Sequence, residues 1–344
     1  MSVRPPGGGE VRILVVAPAW VGDAVMTQSL VEVLGERAPR ARIDVLVRPG
    51  LRALVGRMPG VDGTVPFPVE HGRLGLGVRW RTARVLRERR YDRAVVTKGS
   101  LKASLVPWMA GIPRRTGFLG EMRFGLLNDI RPLDEEALPL WVQRIAALGQ
   151  EPGEEPLPPE AVPRPRLRPW PARRARLREA LALEGGGGDV VALAPGAEFG
   201  PAKRWPSRRW AELARELARR GREVWVFGSP GERELGEAIA GACGEGVRDL
   251  TGRTELDDVV DLMSLSPTTV TNDSGLMHVA AAVGCEVVAL FGPTDPGYTP
   301  PLTDRARILR LDLPCSPCRR PECPLGHHDC LRGLSVEAVL EALP

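Results

Sequence analysis

The stretch "VVAPAWVGDAVMTQSL", residues 15–30, decides the fold. An apolar strand runs to Pro18, a short turn carries Gly22, and a helix begins near Asp23. A buried strand passing straight into a helix is the opening of a βαβ unit. Asp23 then has two readings. It is either an acid that caps the start of the helix or a general base at the lip of a cleft. The turn is not a GxGxxG loop, which weakens a dinucleotide-binding reading. An acid here also repels phosphate from a helix start, where phosphate would otherwise dock. The first part of the chain therefore reads as holding something other than a nucleotide.

The same alternation continues outward. The apolar pattern predicts strands over 11–18, 42–47 and 93–97, with helices over 24–35, 51–57, 79–89 and 101–110. Continuous apolar strands between helices argue for a parallel sheet covered on both faces. A Pro- and Glu-rich break, residues 151–171, reads as a linker. The alternation then restarts, with strands over 189–194, 223–227, 268–271 and 286–291. Helices are predicted over 207–220, 256–265 and 275–283, with Ser207 as an N-cap. The fold class is thus α/β, two doubly wound domains with a cleft between the carboxyl ends of their sheets. A last helix, 335–343, has no obvious home in the second sheet.

Composition agrees. A chain of 344 residues, 43% hydrophobic and 26% charged, is long enough for two cores. No apolar run reaches the ~18–20 residues of a membrane span. The start, "MSVRPPGGGE", has no apolar h-region, so no secretory signal is expected and the default compartment is the reducing cytosol. Of 47 Lys plus Arg, only Lys98, Lys102 and Lys203 are Lys, and Asn occurs only at Asn128 and Asn272. Such a skew makes each survivor worth inspecting, since Lys offers a compact point charge that Arg does not. Between Arg73 and Arg123 stand 13 Lys or Arg against 3 Asp or Glu. That balance suits an anionic partner, or else a solvated face of Arg-rich helices.

The second half carries the phosphate chemistry. In "LAPGAEFGPAKRWPSRRW" a strand enters a Gly- and Pro-rich loop bearing Lys203. In "VTNDSGLMHVAAAVG" a strand ends at Thr271 and a helix starts near Ser274 and Gly275. Its free amides and dipole suit a phosphate. Asp273 reads as a cap or a site residue, and His278, one turn on, as a core histidine or a site residue. Glu232, at the head of a helix, reads as a ribose ligand or as an ordinary helix-start acid. "LFGPTDPGYTPP" is a rigid loop at the same end of the sheet. The cluster "CSPCRRPECPLGHHDC" holds Cys315, Cys318, Cys323 and Cys330 with His327 and His328. Structural zinc, reduced thiols and disulfides all remain open. Cys243 and Cys285 read as core residues.

Together "WVGDAVMTQSL", "PGAEFGPAKRWP", "NDSGLMHVAAA" and "FGPTDPGYTPP" resemble the bacterial lipopolysaccharide heptosyltransferases. "YDRAVV", "GIPRRTGF", "GEMRFGLLND" and "CPLGHHDC" extend the likeness over nearly the whole chain, nearest to members that add the second heptose. The resemblance implies a GT-B fold of two Rossmann-like domains facing a cleft. Residues 1–160 would bind the acceptor and 161–330 ADP-heptose, with 331–344 returning to the first domain. It implies inverting, metal-independent transfer of heptose to the heptosyl-Kdo2-lipid A core at the inner leaflet. The enzyme would be cytoplasmic and peripheral to the inner membrane. Asp23 matches the catalytic base. Lys203, Asp273, Ser274, Gly275 and His278 match the donor site, with Glu232 and Thr254 placed at ribose and adenine. Lys98, Ser100 and Lys102 fall where acceptor contacts are expected. The role of the cysteines does not follow from the resemblance.

Three other readings stand beside this one. Another sugar transferase of the family, including one that adds the first heptose, differs only in acceptor. An NAD-dependent oxidoreductase fits two α/β domains but lacks the glycine fingerprint. A zinc-containing nucleic-acid module would need its basic stretch and its cysteines in one domain, with more aromatic interleaving than the chain has. No nucleic-acid partner is therefore expected.

Overall fold

A computed structural model describes residues 10–69, 73–183 and 189–344. Nine of the ten residues of "MSVRPPGGGE", on which the signal-peptide reading rests, lie outside the described residues. The chain divides into two compact units, Met1–Pro165 and Arg166–Pro344.

The first unit runs β1 (Arg12–Val16), α1 (Val21–Arg37), β2 (Arg42–Val47), α2 (Arg52–Val55), β3 (Gly63–Pro66), α3 (Leu76–Glu88), β4 (Arg93–Val96), α4 (Leu101–Met109), β5 (Arg114–Phe118), β6 (Asp129–Arg131) and α5 (Trp141–Ala147). Its six strands are parallel, in the order β3-β2-β1-β4-β5-β6. Val15 pairs with Val45 on one side and Val95 on the other, all fully buried. These central strands are covered on both faces, which is why they read as unbroken apolar runs.

The second unit repeats the plan. It runs α6 (Pro171–Ala180), β7 (Val190–Ala194), α7 (Ser207–Arg219), β8 (Glu223–Val226), α8 (Arg233–Gly241), β9 (Val247–Asp249), α9 (Leu256–Met263), β10 (Thr268–Asn272), α10 (Gly275–Val283), β11 (Glu286–Leu290), β12 (Ala306–Leu309), α11 (Asp329–Arg332) and α12 (Val336–Glu341). The order is β12-β11-β10-β7-β8-β9. In each sheet the chain moves outward on one side, returns, and moves outward on the other. The reversal falls between β1 and β4 in one sheet and between β7 and β10 in the other. Ligands of open α/β sheets bind at the carboxyl ends of strands flanking such a reversal.

Two expectations change. α7 opens with Ser207 as its first residue, and Pro206 holds the cap position without a side-chain bond. The last helix does not leave for the first domain. Val336, Val339 and Ala342 join the second core with Trp205, Trp210 and Leu217. The indole Nε1 of Trp205 donates to the Leu334 carbonyl at 3.0 Å. Trp205 and Trp210 meet edge to face, ring centres 5.1 Å apart. The apolar outer face of α7 was the missing home for this helix.

Candidate functional site

In the second unit, five loops leave the carboxyl ends of β7 to β11 and bring the candidate residues to one edge of the sheet. Asn272, at the end of β10, has no exposure and works as a staple. Its Nδ2 donates to the Pro195 carbonyl at 2.6 Å, and its Oδ1 accepts from the Trp205 amide at 3.2 Å. This fixes the loop carrying Lys203 against β10. The Lys203 ammonium donates to Asp273 Oδ2 at 2.6 Å and lies 4.9 Å from the centre of the Phe199 ring. Thr294, after β11, donates its hydroxyl to the same Asp273 oxygen at 2.5 Å. One carboxylate oxygen thus gathers two loops. An ammonium has three donors, so this contact spends one of them.

Ser274 is the N-cap of α10, extended and without a side-chain cap bond to the helix amides; its hydroxyl lies 3.3 Å from that of Thr271. The Met277 amide donates to the Ser274 carbonyl at 3.2 Å; the amides of Gly275 and Leu276 have no acceptor within the helix and form the anion-binding end of its dipole. His278 lies in the second turn and is buried, and its Nδ1 has no hydrogen-bond partner. Burial lowers its pKa to about 4, with Lys203 adding to the shift and Asp273 opposing it. The imidazole is therefore neutral at pH 7, with its buried Nδ1 unpartnered. Glu232 is drawn into local structure: its Oε2 accepts from the Ser229 amide at 2.7 Å and hydroxyl at 2.9 Å. It also lies against the Lys203 loop. A Cβ on Gly196 would sit 1.9 Å from its Oε1, so a larger residue there would push the Glu232 carboxylate aside. Thr254, half-buried after β9, has its hydroxyl 3.5 Å from the Leu250 carbonyl.

In the first unit, Asp23 is the third residue of α1, half-buried, and Trp20 holds the cap position with no side-chain cap bond. Asp23 is therefore not the N-cap residue, but an acid in the first turn of α1. Lys98 follows β4, across the reversal. Burial lowers the Lys98 pKa, Asp23 counteracts this, and Arg48, after β2, reinforces it. Asp23, Lys98 and Arg48 form one charge cluster at the ends of three adjacent strands; Arg48 escaped the sequence reading. Ser100 is the N-cap of α4 and Lys102 lies in its first turn.

The basic stretch 73–123 is only partly a surface. Arg79, Arg93 and Arg123 are buried. Arg79 donates to the Leu74 and Lys102 carbonyls, each at 2.5 Å. Arg93 reaches the Leu148 carbonyl at 2.8 Å. Arg123 donates to the carbonyls of Lys98 and Phe118 and to the Ser104 hydroxyl. These arginines wire loops together rather than await an anion.

The cysteines gather at one place. Cys315, Cys318, Cys323 and Cys330 line one small pocket, about 20 Å³, with His327 and His328. All are free thiols. Burial pushes the Cys330 thiol up, and Cys318, Cys323 and Cys315 add to the shift. Among the described residues, no group of three or more His, Cys, Asp or Glu is arranged to hold a metal ion. Of the three states left open by the sequence, the disulfide is the one these free thiols do not show.

Comparison with known proteins places this geometry. The profile of glycosyltransferase family 9 (heptosyltransferase) matches residues 79–328. Lipopolysaccharide heptosyltransferase 2 of Escherichia coli (strain K12) is 44% identical, with 96% of this chain and 97% of that protein covered. Lipooligosaccharide heptosyltransferase 2 of Haemophilus influenzae is 40% identical, with 96% and 98% covered. The structure of E. coli ADP-heptose lps heptosyltransferase II superposes with a TM-score of 0.86 at 42% identity, covering 96% of this chain and 97% of that one.

Proposed function

The chain belongs to glycosyltransferase family 9 (heptosyltransferase), and from that premise we propose how its two sets of strand ends divide the reaction. Its fold class is α/β of the GT-B type. It is a glycosyltransferase that transfers heptose from ADP-heptose to the lipopolysaccharide inner core, as its relatives named heptosyltransferase 2 do.

One observation carries the division of labour. The two sheets share one topology; at the strand reversal the first unit sets the half-buried Asp23 among Lys98 and Arg48, and the second sets Lys203 on Asp273 beside the N-terminus of α10. In the proposed mechanism Asp23 takes the proton from a hydroxyl of the acceptor heptose. That oxygen forms a bond to the anomeric carbon from the face opposite the diphosphate, and the bond to the diphosphate breaks. The anomeric centre inverts through an oxocarbenium-like transition state, as in glycoside chemistry generally. ADP leaves with its charge on Lys203 and on the amides at Ser274 and Gly275. Asp273 and Thr294 hold Lys203 in place. His278, neutral, offers a hydrogen bond to the donor without adding charge. Glu232 serves the ribose and Thr254 the adenine. Lys98, Ser100 and Lys102 contact the acceptor. Every charge stabiliser named is a protein group, so turnover should survive a chelator. Loss of turnover in EDTA, restored by a divalent cation, would contradict this part.

The enzyme works at the cytoplasmic face of the inner membrane, as a peripheral protein. No helix among the described residues is long and apolar enough to cross a membrane. Support for surface contact comes from α3 and α4. Arg79 and Arg87 on α3 donate to the Lys102 and Met109 carbonyls of α4, so the two helices run side by side. Their outer faces leave Trp80 54% and Trp108 49% exposed, with Met122 and Phe124 exposed nearby. Exposed Arg81 and Arg84 lie on the same helix as Trp80. Aromatic side chains among cations suit an anionic membrane surface.

The deciding experiment mixes protein, ADP-heptose and a deacylated monoheptosyl-Kdo acceptor and weighs the product. A gain of one heptose is expected. Gain only on an acceptor without heptose would move the enzyme to the first-heptose reaction.

A further inference from the structure

The thiol pocket lies directly behind the site. Ala202 and Pro293 line it beside the four cysteines. Ala202 precedes Lys203 and Pro293 precedes Thr294, the two residues that meet on Asp273 Oδ2. The loop between Leu313 and Cys330 holds both. The Ala202 amide donates to the Pro321 carbonyl at 3.1 Å, and the Arg319 amide to the Pro293 carbonyl at 2.6 Å. The Ser316 hydroxyl donates to the Gly292 carbonyl at 2.7 Å, and Arg319 Nη2 pairs with Asp295 Oδ2 at 3.0 Å. The packing leaves no slack. A Cβ on Gly200 would come 2.3 Å from the Pro321 carbonyl oxygen, and one on Gly292 would come 3.0 Å from Cys330 Sγ.

We propose that the cysteine loop positions Lys203 and Thr294, and that its thiol pocket is a modification site through which covalent thiol chemistry reaches the donor-phosphate site. The proposal rests on the donor-site reading of Lys203. Close-packed contacts transmit displacement rather than absorb it. A group attached to a pocket thiol displaces Ala202 or Pro293, and a shift of about 1 Å is enough to break a hydrogen bond such as Lys203 to Asp273. Ser316, Arg319 and the cysteines touch no reacting atom in the proposed mechanism; they act through Lys203 and Thr294.

A small thiosulfonate, methyl methanethiosulfonate, tests this. The thiolate attacks the sulfenyl sulfur, a protein S–S bond forms, the S–SO2 bond breaks and methanesulfinate leaves; dithiothreitol reverses the reaction. Hydrogen bonds from backbone amides, that of His328 foremost, hold the Cys323 thiol below its ordinary range, which favours attack there. The protein would carry Cys243→Ala. Buried Cys285, its thiol pushed up to about 11, reacts poorly. Peptide mass would map the labelled sites. Two readouts are taken: ADP affinity, and the reactivity of the Lys203 amine to reductive methylation. Labelling should weaken ADP at least about tenfold, the scale of losing one charge-assisted hydrogen bond. It should also raise Lys203 methylation, with dithiothreitol reversing both. In unlabelled protein, Ser316→Ala should raise the donor KM with kcat near wild type, and Ser316→Thr should restore it. Complete labelling with both readouts unchanged overturns the proposal. If unlabelled protein binds no ADP, the donor reading fails, and Lys203 reactivity alone still decides whether the loop positions that residue.

Discussion

Asp23 and His278 show how position gives an ordinary residue an unusual task. Asp23 is not the N-cap residue, since Trp20 occupies that position. Its charge is instead shared with Lys98 at the end of the neighbouring strand. Asp23→Asn keeps the shape and removes the base, so turnover should fall by ~10²–10⁴-fold or more. ADP affinity should persist, since the proposed ADP ligands all lie in the other unit; wild-type turnover would remove Asp23 from the mechanism. For His278 the sign of the pH effect follows from burial. Its pKa falls from 6.5 to about 4 on folding. Between those values the unfolded chain binds a proton that the folded chain refuses. The stabilisation is complete above pH 6.5 and is lost as pH falls toward 4, by up to about 3 kcal/mol. His278→Gln should flatten that part of the stability profile in urea unfolding at pH 7 and pH 4.5. A slope equal to wild type would show that the imidazole is not buried neutral.

At the scale of elements, the loops after β7, β10 and β11 matter more than any one side chain. Thr294→Val removes one of the two donors to Asp273 Oδ2. The donor KM should rise about 10-fold with a smaller change in kcat, the cost of one hydrogen bond to a charged group; unchanged donor kinetics would leave Thr294 a bystander. Trp205 joins the Lys203 loop to α7 and to the C-terminal segment, so Trp205→Ala should cost about 3–5 kcal/mol of stability. A loss below about 1 kcal/mol, read by urea unfolding, would mean that the last helix is held elsewhere. The sequence made the central strands legible because a buried parallel strand is a continuous apolar run, as in "VVALA". It hid β5, "RRTGF", whose half-buried arginines bond carbonyls and carboxylates. It hid the outer strands β9 and β12 for want of apolar length. Asp23, Lys203 and Asp273 were legible because each follows an obvious strand. Thr294 and Arg48 were not, since their roles exist only where several strand ends meet. The basic run misled in part because charge counts do not distinguish a surface arginine from a buried one.

For the whole molecule, the two units reuse one topology, and helices α3 and α4 of the first carry exposed tryptophans, with exposed arginines on α3. Binding to vesicles rich in anionic phospholipid should weaken several-fold between about 50 mM and 500 mM salt, as the Debye length shrinks from about 14 to 4 Å. Trp80→Ala combined with Trp108→Ala should release the protein from vesicles and leave turnover on a deacylated acceptor near wild type. Vesicle binding insensitive to salt and to both changes would place membrane contact on another surface. The most direct test of the division of labour is product mass with ADP-heptose and the deacylated monoheptosyl acceptor, run beside ADP binding for wild type and Asp23→Asn. The expected result is a gain of one heptose with wild type, none with Asp23→Asn over the same time, and equal ADP affinity for both. Heptose gain by Asp23→Asn at the wild-type rate, or no gain by wild type, would contradict it.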